Sequence, residues 1–259
     1  MKIAFIGTGN MGGACAQAVR QALPQAELLL ANRTPEKAKA LAEQLGGTVI
    51  DNRTAAETAD YLFLGVKPQM LETLAGEIGA VTARREKLIL VSMAAGVTVV
   101  RLNALFGAKL PVIRIMPNLP MTVSRGMTLW CANGAVTAVE RQIFCSMMAK
   151  SGALSEVPEN LIDAGSAVAG CGPAFVCLFL EAMADGGVLC GLTRAQAREY
   201  AVQTLLGTAE LLRETGKHPA EVKDAVCSPG GSTVAGVYAL ETGAFRADVM
   251  NAVRAAFEK

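Results

Sequence analysis

The run KIAFI at residues 2–6 passes directly into GTGNMG and then into a helical pattern, and no other feature constrains the fold as tightly. Gly7, Gly9 and Gly12 make a GxGxxG motif in the setting it requires, after a strand and opening a helix. Gly7 permits the tight turn, Gly9 lets backbone approach a pyrophosphate, and Gly12 allows close packing of helix on strand. The loop amides, from Thr8 through Asn10 and Met11, and the positive helix end then face an anion. The alternative is a generic flexible turn.

The remainder of the first half keeps the same rhythm. Apolar runs at 27–31, 61–65, 88–92 and 111–115 alternate with helical patterns near 11–23, 35–46, 68–81 and 98–106. Continuous apolarity predicts strands buried on both faces, as in a parallel sheet. The expected fold is an N-terminal Rossmann-type, doubly wound α/β domain over residues 1–157. Its second strand ends in LANRTPEK, so Asn32, Arg33 and Thr34 stand where NAD binders commonly carry an acid. Guanidinium and hydroxyl donors bind a 2′-phosphate that an acid would repel, which predicts NADP(H), with NAD(H) as a second cofactor. Thr34 also reads as an N-cap with Pro35 at the first helical position, and the two roles are compatible. Two turns, GVKPQ at 65–69 and SMAAGV at 92–97, come after strands on the edge where open α/β sheets bind ligands. Small Ala94, Ala95 and Gly96 leave room there for a flat ring or a ribose.

Bulk properties exclude several classes. Hydrophobic residues make up 52% of the 259, and a net charge of +1 gives no electrostatic reason to expect nucleic acid or an anionic membrane as partner. The uncharged stretch 164–180 is punctuated by Gly165, Gly170, Gly172 and Pro173, which favours a buried helix over a membrane span. The chain opens into a strand, without the succession of a signal peptide, so a cytoplasmic location is expected. Seven cysteines without a CxxC read mostly as reduced core thiols. With His218 the single histidine, no metal site is expected.

From residue 158 to 259 the pattern is helical, with segments near 159–169, 173–190, 194–215, 219–226, 232–242 and 245–257. The second is apolar almost all round and needs partners on every side, which predicts at least a dimer through this half. No lysine lies between Lys150 and Lys217, and Tyr200 and Tyr238 adjoin no second catalytic group in sequence. A chain so poor in proton-transfer groups suits reduction of an imine, whose protonated C=N carries its own charge, so that hydride transfer needs chiefly orientation. The turn SPGGST at 228–233 complements this. Gly230 and Gly231 can expose consecutive amides, Ser232 and Thr233 are expected to cap the next helix, and donor amides at a positive helix end suit a carboxylate. Thr233 could turn its hydroxyl toward a ring nitrogen. A plain proline-led N-cap is the competing reading.

Assembled, these residues resemble the pyrroline-5-carboxylate reductases over nearly the whole chain. The resemblance rests on GTGNMG at 7–12, NRT at 32–34, VKPQ at 66–69, SMAAGV at 92–97 and MPN at 116–118. GPAF at 172–175, ADGGV at 184–188 and above all KDAVCSPGGSTVAGVYALE at 223–241 complete it. It implies reduction of pyrroline-5-carboxylate to L-proline with NADPH or NADH, by homo-oligomers built from dimers whose helical domains interleave. It also implies that Ser228, Gly231, Ser232 and Thr233 bind substrate, with Thr233 as the catalytic position. Asn52, Val66, Lys67, Pro68, Ala94 and Ala95 would line the cofactor, and Glu159 matches a substrate-associated position. From the residues alone Glu159 reads as a first-turn acid favouring the helix dipole. Ala225, where some relatives carry Asn, and Cys171, in a turn that is serine-rich in many, depart from the pattern. Reduction of another cyclic imino acid, or a non-catalytic NADP-binding regulator, are the alternatives.

Overall fold

The computed structural model describes residues 1–259, which form two compact units, Met1–Gly170 and Cys171–Lys259. The first unit begins β1 (Lys2–Ile6), α1 (Asn10–Ala22), β2 (Glu27–Ala31), α2 (Pro35–Leu45), β3 (Thr48–Val49) and α3 (Asn52–Thr58). It continues through β4 (Tyr61–Leu64), α4 (Leu71–Thr82), β5 (Ile89–Ser92), α5 (Val99–Phe106) and β6 (Val112–Met116). Then come β7 (Gly126–Ala132), α6 (Ala138–Met148), β8 (Gly152–Glu156) and, after a 3-10 turn at Glu159–Leu161, α7 (Ile162–Ala169).

The strands form one sheet in the order β3-β2-β1-β4-β5-β6-β7-β8. The first six adopt the doubly wound nucleotide-binding order. Every adjacent pair is parallel except β6 and β7, which run antiparallel, so the sheet is parallel-dominated rather than wholly parallel. Burial on both faces explains the continuous apolar strands. Phe5, Phe63, Val91 and Ile115 pack with Cys15 and Val19 of α1 and Phe144 of α6, and Phe5 stacks on Phe63 at 4.5 Å. On the other face Ile6, Leu62, Leu64 and Leu90 meet Ala55 of α3, Leu74 and Ile78 of α4, and Leu102 of α5.

The expected helix at 68–81 divides into a 3-10 turn, Pro68–Met70, and α4, because Pro68 starts a tight turn before the regular helix is established. The first unit extends past residue 157, since α7 lies close on β7: a methyl group at Gly165 would come 2.3 Å from Leu129 Cδ1.

The second unit comprises α8 (Gly172–Leu189), α9 (Arg194–Thr215), α10 (Pro219–Ala225), α11 (Ser232–Thr242) and α12 (Phe245–Phe257). α9 starts at a Thr193–Gln196 capping box and stops at Gly216, in the left-handed conformation. This unit holds almost no core of its own. Only Ala184, Ala197 and Ala201 are buried, while Leu178 is 66% and Tyr238 73% exposed. The expectation that its cysteines are core thiols therefore fails in the single chain: Cys177 and Cys190 are exposed, whereas Cys15 and Cys131 of the sheet unit are buried. The stretch Glu159–Leu189 is long and apolar enough to cross a membrane by length and composition, and is mostly unburied in the single chain.

Candidate active site

At the carboxyl ends of β1 and β4 three glycine backbones meet. Gly7 has φ +94°, which an L side chain rarely adopts, and its N–H donates to Ala31 O at 2.8 Å. A Cβ on Gly12 would lie 2.0 Å from Gly7 O, and one on Gly65 2.3 Å from the same oxygen. The two loops can touch only because none of the three carries a side chain. Gly9 is different. It holds the N-cap position of α1, no side chain caps that helix, and a Cβ there would meet nothing within 4 Å. An open face beside uncapped first-turn amides, with Asn10, Met11 and Gly12 opening the helix, is what a pyrophosphate requires. Thr8 adds a buried hydroxyl with no protein partner, and its N–H donates to Asn32 Oδ1 at 3.1 Å. The residues present therefore fit a dinucleotide.

A cleft of about 630 Å³ opens from this loop. Its walls include Gly7, Gly9, Asn32, Arg33, Thr34, Asn52, Val66 and Lys67, drawn together from the ends of β1, β2 and β4 and the start of α3. Thr34 occupies the N-cap position of α2, with Pro35 behind it, yet its side chain accepts no cap hydrogen bond. The local cap reading is thus not realised, and Thr34 lines the cleft beside Arg33. Asp51 caps α3 by accepting the Thr54 N–H at 2.8 Å and its hydroxyl at 2.7 Å. These bonds hold the Asp51 carboxyl below the usual range. That cap places Asn52, whose Nδ2 donates to Glu77 Oε2 at 2.9 Å. Gln69, from the GVKPQ turn, also lines the cleft, as do Lys37, Thr73 and Glu77, which were not anticipated from the sequence. Pro68 starts the 3-10 turn beside it. Ala94 and Ala95 are not among its walls; they stand in the turn after β5, whose Met93 N–H donates to Leu64 O of β4 at 3.2 Å. There the Ala94 N–H donates to Ser92 Oγ at 3.3 Å, Ala94 is buried and Ala95 exposed.

Glu159 is engaged within the sheet unit. Its Oε1 accepts the Val99 N–H at 2.6 Å and lies 3.4 Å from Nη1 of the buried Arg114.

In the helical unit, Gly230 has φ +68° and the Gly231 N–H donates to Ser228 O at 3.0 Å, closing the turn. A Cβ on Gly231 would come 2.4 Å from Ser228 Oγ, a hydroxyl that can rotate away, and 3.1 Å from Ser228 O, so the turn is tightly closed there. α11 begins at Ser232 with Gly231 in the N-cap position and no side-chain cap. Ser232 and Thr233 therefore sit inside the first turn instead of capping it, because the extended Gly231 backbone takes the cap position. Their amides, at the positive helix end, have no local acceptor built against them.

Two family models match the chain: "NADP oxidoreductase coenzyme F420-dependent" over residues 2–96 and "Pyrroline-5-carboxylate reductase dimerisation" over residues 159–259. The pyrroline-5-carboxylate reductase of Synechocystis sp. is 45% identical over 209 residues, covering 81% of this chain and 77% of that protein. A solved pyrroline-5-carboxylate reductase from Coxiella burnetii superposes with TM-score 0.92 at 30% identity, covering 99% of this chain and 96% of the other. The Plasmodium falciparum pyrroline carboxylate reductase, solved with NADP bound, superposes with TM-score 0.88 at 29% identity, covering 100% and 96%. A nucleotide-binding loop, a cation-rimmed cleft and an uncapped PGGST turn thus stand in a chain that belongs to the pyrroline-5-carboxylate reductase family.

Proposed function

We propose that the chain reduces 1-pyrroline-5-carboxylate to L-proline, with NADP(H) as dinucleotide. The observation that carries this reading is the pair of glycine-led, uncapped helix starts, Gly9 before α1 and Gly231 before α11, one in each unit. Each offers backbone donors to an anion, a diphosphate in the first unit and a carboxylate in the second. When bound, the reduced dinucleotide would supply a hydride to the carbon of the protonated C=N, leaving a neutral ring amine.

The chain's own residues hold and orient. Thr8, Gly9, Asn10 and Met11 receive the diphosphate; Arg33, Thr34 and Lys37 receive the 2′-phosphate; Asn52, Val66, Lys67 and Pro68 flank the remainder. Ala94 and Ala95 leave space for the nicotinamide end. Ser228, Gly230, Gly231 and Ser232 cradle the substrate carboxylate, and the Thr233 hydroxyl hydrogen-bonds the ring nitrogen. Residues 1–157 would thereby serve the dinucleotide and 158–259 the substrate and dimerisation. A second copy of the chain is the natural cover for the apolar helical unit, and it accounts for the exposed stretch Glu159–Leu189 without a bilayer.

The decisive assay is oxidation of NADPH by the purified protein in the presence of pyrroline-5-carboxylate, with the product identified as proline. Binding of NADPH without oxidation, or oxidation only with a six-membered cyclic imine, would overturn the reading.

A further inference from the structure

The bulkiest fully buried side chain in the molecule is charged. Arg114, in β6, is 2% exposed, set beside the buried Ser92 of β5 and among apolar residues such as Leu90, Val112 and Cys131. Its Nη2 donates to Asp163 Oδ1 at 2.7 Å and its Nη1 lies 3.4 Å from Glu159 Oε1. That same oxygen accepts the N–H of Val99, the first residue of α5. One cation thus ties together β6, the end of the turn after β5, and the stretch entering α7. The far end of α7 is held as well, by Asn118 Nδ2 donating to Ala169 O at 2.9 Å.

Stability alone is a weak reason for such a construction, because apolar residues of equal volume commonly do as well as a buried ion pair. Nor does α5 depend on it for a cap, since Thr98 Oγ1 already accepts the Arg101 N–H. What the Glu159 contact adds is attachment: Val99 stands three residues beyond Gly96, so fixing its amide fixes the Ala94–Gly96 turn against the sheet.

We propose that Glu159 and Arg114 are positioning residues for hydride transfer, holding the Ala94–Gly96 turn in place without touching substrate themselves. The inference rests on the reductase reading above. Glu159→Ala removes the acceptor, whereas Glu159→Gln keeps an oxygen for the Val99 N–H. Glu159→Ala is expected to lower kcat about tenfold, with NADPH affinity by calorimetry and KM for the imine nearly unchanged, and Glu159→Gln to retain most of kcat. Amide hydrogen exchange over residues 94–102 should quicken in Glu159→Ala and in Arg114→Lys, which lacks the planar fork that meets the two carboxylates, and stay slow in Glu159→Gln. Unaltered exchange in folded Glu159→Ala overturns the proposal. So does a loss confined to the KM for the imine and equal in both Glu159 variants, which would make Glu159 a direct substrate ligand. A wild-type protein inactive on the imine would instead sink the reductase reading, with exchange still judging the tie.

Discussion

Lys37 lies in the first turn of α2, at the end of a helix where a cation opposes the dipole. A bound anion removes that conflict. Arg33 and the uncommitted Thr34 hydroxyl border the same part of the cleft. Arg33→Ala should weaken NADPH by roughly 1.5–3 kcal/mol and Lys37→Ala by about 1 kcal/mol, with NADH little changed in either. Equal losses for both dinucleotides, measured by titration, would place the 2′-phosphate elsewhere. Thr233→Ala should cut turnover of the imine roughly 10–100-fold, the worth of one hydrogen bond to a charged group, while NADPH binding stays intact. The fold should be indifferent, since Thr233 is exposed and caps nothing; unchanged kinetics would remove its assigned role. The glycines of both turns were legible because their spacing is dictated by backbone geometry. Lys37 left a readable trace too, a basic residue at the wrong helix end. Glu77 left none, because only the packing of α4 brings it to Asn52.

Among the elements, strands buried on both faces announce themselves. β1, β2, β4, β5 and β6 fall within a residue or so of the apolar runs that predict them. β3 does not, being two exposed residues at the sheet edge. α3 and α6 lack long apolar stripes, yet both carry start signals: Asp51 before α3, and a capping box of Thr137 with Glu140 before α6. The antiparallel turn of β7 against β6 is a matter of topology that no local pattern reports. α8 is the clearest case of an element whose sequence outruns its own chain, apolar almost all round with only Ala184 buried. Leu178→Asp should leave α8 helical by circular dichroism but weaken self-association in sedimentation velocity. An unchanged sedimentation profile would take α8 out of the interface.

At the scale of the molecule, protons held inside the sheet unit link stability to alkali. Burial pushes the Cys15 thiol from 9.0 to about 12 and the Cys131 thiol to about 11. Burial likewise raises the Tyr61 phenol, helped by the Glu140 and Asp60 charges. Above the ordinary thiol range the unfolded chain has released protons that the folded chain keeps. The unfolded state then binds fewer, and stability falls as pH rises. Between about pH 10 and pH 11 Cys15 alone should contribute a fall approaching about 1.4 kcal/mol per pH unit, read from urea unfolding at successive pH values and relieved in Cys15→Ala. A flat profile between pH 8 and about pH 10 would contradict the burial of that thiol.

The bare surface of the helical unit reaches beyond architecture. The PGGST turn belongs to the half of the chain that has nearly no interior of its own, while the dinucleotide loop belongs to the half that is complete. On the proposed reading, nucleotide holding would be the property of one polypeptide and imine reduction that of a couple. A dilute population would still carry cofactor while making little proline, so abundance itself would act on the output.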